Sequence, residues 1–111
     1  MDERQRRMAQ NEALFREVNE RIDELSEDQR RDRLAARDYL CECANSDCTF
    51  SVPLTADEYE AIRADSAQFA VLPEHYTPEI EKLVSERDRY WVVKKVGETA
   101  EYVSALDPRS R

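Results

Sequence analysis

The residues with chemistry to offer are crowded into YLCECANSDCTF, where all three cysteines of the chain fall in the pattern Cys41-x-Cys43-x4-Cys48. In an extended backbone, residues two apart point to the same side, so Cys41 and Cys43 present their sulfurs together. The turn formers ANSD then bring Cys48 back opposite them. Three thiolates converging on one point repel unless a cation stands between them, and tetrahedral sulfur and nitrogen coordination suits Zn2+. A structural zinc takes four protein ligands. The chain has one histidine, His75, in VLPEHYTP, so the expected set is Cys41, Cys43, Cys48 and His75. Asp47, Glu42, a water or a partner's residue are the other candidates for the fourth place. The bland reading is that the cysteines are small buried hydrophobes and His75 an ordinary surface or core residue.

The elements that must position these residues belong to one small domain with an appendage. The chain has 111 residues, of which 41% are hydrophobic and 38% charged, against a usual charged share of about 25%. No apolar run approaches the roughly 18 residues of a membrane span, and the N-terminus lacks the apolar stretch of a secretory signal. A cytoplasmic protein is expected, in which structural disulfides are rare and an odd cysteine count argues against a disulfide framework. Net charge is −8, carried mostly by residues 38–111. Such a surface disfavours nucleic acid and anionic lipid, whose phosphates need clustered Lys and Arg.

Residues 3 to about 25 read as an amphipathic helix, with Met8, Phe15, Val18, Ile22 and Leu25 in a heptad-like seam that Asn11 interrupts. Leu14 widens the stripe. The seam has two readings: packing on the chain's own domain, or pairing in a homodimer or with a protein partner through Phe15, Val18, Ile22 and Leu25. Ser26 with Gln29 resembles a capping box, which would open a second helix over about 27–37; a solvated continuation of the first helix or a mobile linker is the equal alternative. Its Arg30, Arg31, Arg33 and Arg37 form a basic patch, read as a solvated face or as an anion contact.

YLCEC and CTFSVPL are expected to form an antiparallel hairpin, with Pro53 ending its second strand. Thr55 and Glu58 form another capping box that opens a helix with Tyr59 and Ile62 inward. QFAVL reads as a strand. Thr77-Pro78 resembles a helix start, predicting a helix over EIEKLVSERD with Ile80, Leu83 and Val84 buried. RYWVVKKV is a strand, ETAEYVSAL fits a short helix slightly better than a strand, and DPRSR is a frayed tail.

The expected architecture is therefore α+β. A helical arm over 1–37 precedes a zinc-clipped antiparallel sheet domain over 38–106 with two or three short helices, and 107–111 form the tail. A core this small supplies rarely more than about 3–5 kcal/mol, whereas structural zinc contributes an apparent ~10–16 kcal/mol in small peptides. Removing zinc should loosen the hairpin and the adjoining strand first.

FREVNERIDEL, CECANSDCTFSVPLTADEYEAIRAD, FAVLPEHYTPEIEKLV and DRYWVVKKVGETAEY together resemble a family of small actinobacterial proteins. Its members share a CECxxxxC segment, an LTxxEYExVRxDP stretch, a FxVxPGH turn and a VVxKxGExAE ending. The resemblance covers roughly residues 14–109 and implies Cys41, Cys43, Cys48 and His75 as the matching positions. It implies no reaction. Two positions depart from the pattern: Glu74 stands where the family has Gly, and Tyr76 where it has an acidic residue.

The functional expectation is a small zinc-binding regulatory or protein-interaction module with a structural ion. The alternatives are a thiol redox or metal sensor using the same cysteines, or a zinc enzyme with an open coordination position. HExxH and the HxE…PCxxC deaminase pattern are both missing from the sequence, and with one glycine there is no phosphate-cradling loop.

Overall fold

The computed structural model describes residues 1–25 and 35–110. Helix α1 spans Glu3–Leu25, β1 Arg37–Leu40, β2 Ser51–Leu54, α2 Ala56–Arg63, β3 Gln68–Val71, β4 Glu81–Glu86, β5 Trp91–Lys95 and α3 Gly97–Ala105. A short 3-10 turn over Pro108–Ser110 follows. β1 and β2 form an antiparallel pair, and a three-stranded antiparallel sheet runs in the order β3-β5-β4. The architecture is α+β as expected: one long helix, then small antiparallel sheets and two short helices. The basic patch at Arg30, Arg31 and Arg33 and the capping box at Ser26 lie outside the described residues, and Arg37 opens β1 rather than closing a helix. No helix among the described residues is long and apolar enough to cross a membrane.

α1 is rich in Glu and Arg and contains neither Gly nor Pro, which favours helix throughout. Its start carries a reciprocal cap. Asp2 accepts from the Gln5 N–H at 2.7 Å, and the Gln5 side chain accepts from the Asp2 N–H at 3.2 Å. The face it turns inward differs from the one its apolar spacing suggests. Glu12, Arg16, Asn19, Glu20 and Asp23 are buried, while Val18 and Leu25 are 40% and 84% exposed. Ile22 packs against the core from the margin, and Phe15 is half-buried.

This inversion is tolerable because each buried polar side chain finds at least one partner, although Glu12 Oε1 and Arg16 Nε go without a hydrogen bond. Arg16 donates to the Ser66 and Val103 carbonyls at 2.5 and 2.7 Å, with its guanidinium over the Phe69 ring. Glu12 meets the fully buried Lys95, which also lies 3.0 Å from Glu81. Glu20 accepts from Tyr59 at 3.2 Å and Arg63 at 3.1 Å, and Asp23 accepts from Tyr39 at 3.1 Å.

The apolar core lies between α1, α2, α3 and the sheets, around Tyr39, Val52, Leu54, Tyr59, Phe69 and Val93. Tyr39 and Tyr59 stack with ring centroids 4.5 Å apart. The Thr55–Glu58 capping box forms with both bonds present, 3.1 and 2.8 Å, and Tyr59 and Ile62 face inward.

Three sequence expectations are corrected by the structure. Pro53 sits within β2, opposite Asp38, rather than ending it; β2 pairs on one side only, so the missing N–H costs the ladder nothing on the open edge. EKLVSE is a strand, not a helix. Glu81 and Leu83 turn inward opposite Lys95 and Val93, and Val84 is carried outward where the register slips between Leu83 and Ser85. Residues 107–110, expected to fray, are tied down instead. Asp107 is buried against Arg63, and Arg109 reaches Glu20 at 3.0 Å and Glu60 at 2.8 Å.

Candidate metal centre

The cysteines lie in the connection between β1 and β2, just past the last ladder pair, Leu40 with Ser51. Pairing continues for one further bond, from the Cys41 N–H to the Phe50 carbonyl at 3.0 Å. The chain then leaves the hairpin and runs along the free edge of β3. The Glu42 N–H donates to the Ala70 carbonyl at 2.8 Å, and the Glu42 carboxylate accepts from the Ala70 N–H at 2.9 Å. That two-sided grip on Ala70 keeps residues 41–43 extended, so Cys41 and Cys43 share one side while Glu42 goes to the other. Glu42 is wholly buried there, its second oxygen taking a 2.9 Å bond from Asn19. Burial pushes its carboxyl up, against the opposing pull of the Ala70 N–H and Asn19.

Cys48 is returned by a turn built on Asn45, whose carbonyl accepts from the Cys48 N–H at 3.1 Å and whose side chain accepts from the Asp47 N–H at 2.9 Å. His75 arrives from the far end of β3. The turn Leu72-Pro73-Glu74-His75 closes with the His75 N–H on the Leu72 carbonyl at 3.0 Å. Glu74 takes a left-handed backbone there, φ 75°, a conformation that glycine adopts more readily than any L-residue.

The four side chains converge, with their ligand atoms all within 4.8 Å of one another. His75 Nδ1 lies 3.4 Å from Cys41 Sγ and 3.7 Å from Cys48 Sγ. The three cysteines are free of disulfides and buried. The Leu72 N–H donates to Cys41 Sγ at 3.2 Å, and Phe50 sets its ring edge-on to His75 at 6.0 Å. A cleft lined by Cys43, Asn45, Glu74, His75 and Thr77 opens beside the cluster.

Charge is shared unevenly among the sulfurs. Hydrogen bonding with Cys41 pulls Cys43 down to about 5, while the same bond and burial push the Cys41 thiol up, and burial raises Cys48. Alone, the site thus holds one thiolate comfortably and resists the second and third. A bound cation removes that resistance, which is the electrostatic logic of a thiolate metal site. The cluster of Cys41, Cys43, Cys48 and His75 can bind a metal. Of the other candidates for the fourth place, Glu42 is turned away to Ala70 and Asn19, and Asp47 is exposed outside the cluster.

Sequence reasoning missed the residues that support this cluster. Asn19 accepts from the Leu40 N–H at 2.7 Å and donates to the Leu40 carbonyl at 2.9 Å. Asn11 donates to the Cys43 carbonyl at 3.2 Å. The signal was present: Asn11 breaks the apolar seam of α1, and a polar residue at such a place asks for a partner. Comparison with known proteins adds no kinship: no family model, no curated protein and no solved structure matches this chain.

Proposed function

We propose that the chain is a zinc-binding protein whose ion is structural and whose role is that of an intracellular regulatory or protein-interaction module. The observation that carries the zinc reading is the spacing of the donors. Zn–S bonds of about 2.3 Å and a Zn–N bond of about 2.0 Å set tetrahedral S···N edges of about 3.5 Å. The two sulfur–imidazole distances, 3.4 and 3.7 Å, match that edge. Four protein ligands fill a tetrahedron and leave no position for a substrate, which favours a structural over a catalytic ion. Three free thiols suit a reducing compartment.

The interaction reading rests on the outer side of α1. Leu14, Val18 and Leu25 are 57%, 40% and 84% exposed there; Phe15 and Ile22, expected in the same contact, are half-buried and contribute only their margins. A protein partner or a second copy is the proposed occupant, and a Val18→Glu, Leu25→Glu variant that leaves mass in solution and partner capture unchanged would remove this reading.

Zinc content by native mass spectrometry on wild type and His75→Ala tests the site. One zinc per chain, weakened by the substitution, supports it. Cobalt loading should give the absorption of a four-coordinate site with three sulfurs and one nitrogen; no metal uptake by either protein refutes the reading. Thiol redox sensing is favoured by one further observation, the cleft that reaches Cys43 and His75 and offers a small oxidant a way in. Zinc release at low peroxide doses tests it.

A further inference from the structure

α1 is fastened to the rest of the chain mainly by polar bonds, since its buried residues other than Ala9 and Ala13 are Glu12, Arg16, Asn19, Glu20 and Asp23. Two of its side chains bond the backbone where the end of β1 runs into the cysteine segment. Asn19 brackets Leu40 through both its N–H and its carbonyl, 2.7 and 2.9 Å, and reaches Glu42 at 2.9 Å. Asn11 takes the Cys43 carbonyl at 3.2 Å. The two asparagines are eight residues apart, about 12 Å along a helix. Residues 40 to 43 in extended form cover about 10 Å. The helix therefore runs alongside the segment in a fixed register, one asparagine at each end of it.

That register depends on a stretch with little structure of its own. From residue 41 to residue 50 the chain contains no helix or strand, and its shape rests on a few backbone bonds, on the grips of Glu42 on Ala70 and of Asn45 on Asp47, and on the convergence of Cys41, Cys43 and Cys48 with His75. The three-stranded sheet has other supports, with Val71 and Val93 fully buried and Ile62 of α2 packed in the same core; Phe69, by contrast, lies beneath a side chain of α1, Arg16.

We propose that α1 is a metal-gated element: an ion held by Cys41, Cys43, Cys48 and His75 fixes the 40–43 backbone in the register that Asn11 and Asn19 require, and loss of the ion unlatches α1 while the β3-β5-β4 sheet stays folded. This rests on the zinc reading and adds a consequence to it. Release separates Glu12, Arg16 and Glu20 from partners that water can replace, and it uncovers Ile22 beside the already exposed Val18 and Leu25. Metal occupancy is thereby converted into the availability of a helix face. Coupling of this kind is reciprocal, so the α1 contacts tighten metal binding by the same factor that the metal tightens α1.

Hydrogen exchange read by mass spectrometry on the full chain, zinc-loaded and chelated, with occupancy checked by native mass spectrometry, tests the proposal. Removing zinc should speed exchange of the amides over 11–25 and 41–50 by about tenfold or more, leaving those of Trp91–Lys95 protected. Asn11→Ala, which removes one half-buried bond, should keep the fold and weaken zinc affinity about fivefold, the equivalent of one hydrogen bond. Zinc lost with α1 exchange unchanged overturns the inference and leaves the zinc site standing, as does an unaltered affinity in Asn11→Ala. Loss of protection in α1 and the sheet together also overturns it, because the ion would then hold the whole fold. A protein that takes up no zinc overturns the site reading and this inference with it.

Discussion

Glu74 holds a left-handed backbone at φ 75° with its side chain exposed, in the turn that delivers His75 to the cysteines. For an L-residue that conformation costs roughly 1–2 kcal/mol through crowding of Cβ against the following carbonyl. Glycine removes the crowding but adds freedom to the unfolded chain, which returns about 0.4–1 kcal/mol of the gain. Glu74→Gly is therefore expected to stabilise the zinc-loaded protein by about 0.5–1 kcal/mol. Gly97 supplies the opposite experiment. It has φ +58° and nothing within 4 Å of where a Cβ would stand, so Gly97→Ala tests the torsional cost free of any clash and should destabilise by a similar amount. Thermal unfolding of zinc-saturated protein should show midpoints displaced in opposite directions by about 2–6 °C. A Glu74→Gly midpoint equal to or below wild type would refute the reasoning, since it would mean that the turn is not held left-handed or that the Glu74 side chain contributes more than its backbone costs. Zinc stoichiometry should be the same in both variants.

The buried cluster of Glu12, Lys95 and Glu81 sets two carboxylates against one ammonium. Burial, opposed by Lys95, raises Glu12 well above the usual range, so Glu12→Gln, which cannot ionise, should leave the protein at least as stable as wild type at neutral pH, whereas Lys95→Met should cost about 3–5 kcal/mol in urea unfolding. A group whose folded pKa is raised contributes stability at low pH that is lost as pH climbs through that value; Glu12→Gln should accordingly gain on wild type as pH rises, and a constant difference would contradict the assignment. Asp107 has the reverse sign. Burial works against its ionisation, but Arg63 and the Arg109 N–H outweigh it and hold the carboxyl below its ordinary 3.8. The stability gap between wild type and Asp107→Asn should be full at neutral pH and close as pH falls below about 4, as urea midpoints across an acid series would show. Arg109 lies at the surface with its side chain 37% exposed, so Arg109→Ala should cost about 1 kcal/mol or less, while making the C-terminal turn more sensitive to carboxypeptidase; unchanged digestion would argue against the anchoring role.

Much of the site was legible because thiolate chemistry is local in sequence. The i, i+2 spacing of Cys41 and Cys43 and the Asn45 turn before Cys48 are short-range geometry, and the chain had a single histidine to complete the set. The Thr55–Glu58 cap, the inward Tyr59 and Ile62, and strand β5 were readable for the same reason. Burial of α1 was not, because periodicity ranks faces by apolarity and carries no information about partners. Glu12, Arg16, Asn19 and Glu20 are buried only because Lys95, the Ser66 and Val103 carbonyls, Leu40 and Arg63 come from elsewhere in the chain to meet them.

β4 shows the same limit from the backbone side. EKLVSE has a helix former's composition, and it is a strand because Glu81 and Leu83 pair opposite Lys95 and Val93 of β5. By itself the sequence determined which atoms could hold an ion and roughly where each short element begins. Tertiary structure decided that the helix faces inward with its charges, and that its asparagines grip the cysteine segment. The reason is physical: a thiolate's preference for a cation belongs to the residue, whereas the cost of burying a carboxylate or an amide depends on which partner the rest of the chain brings to it.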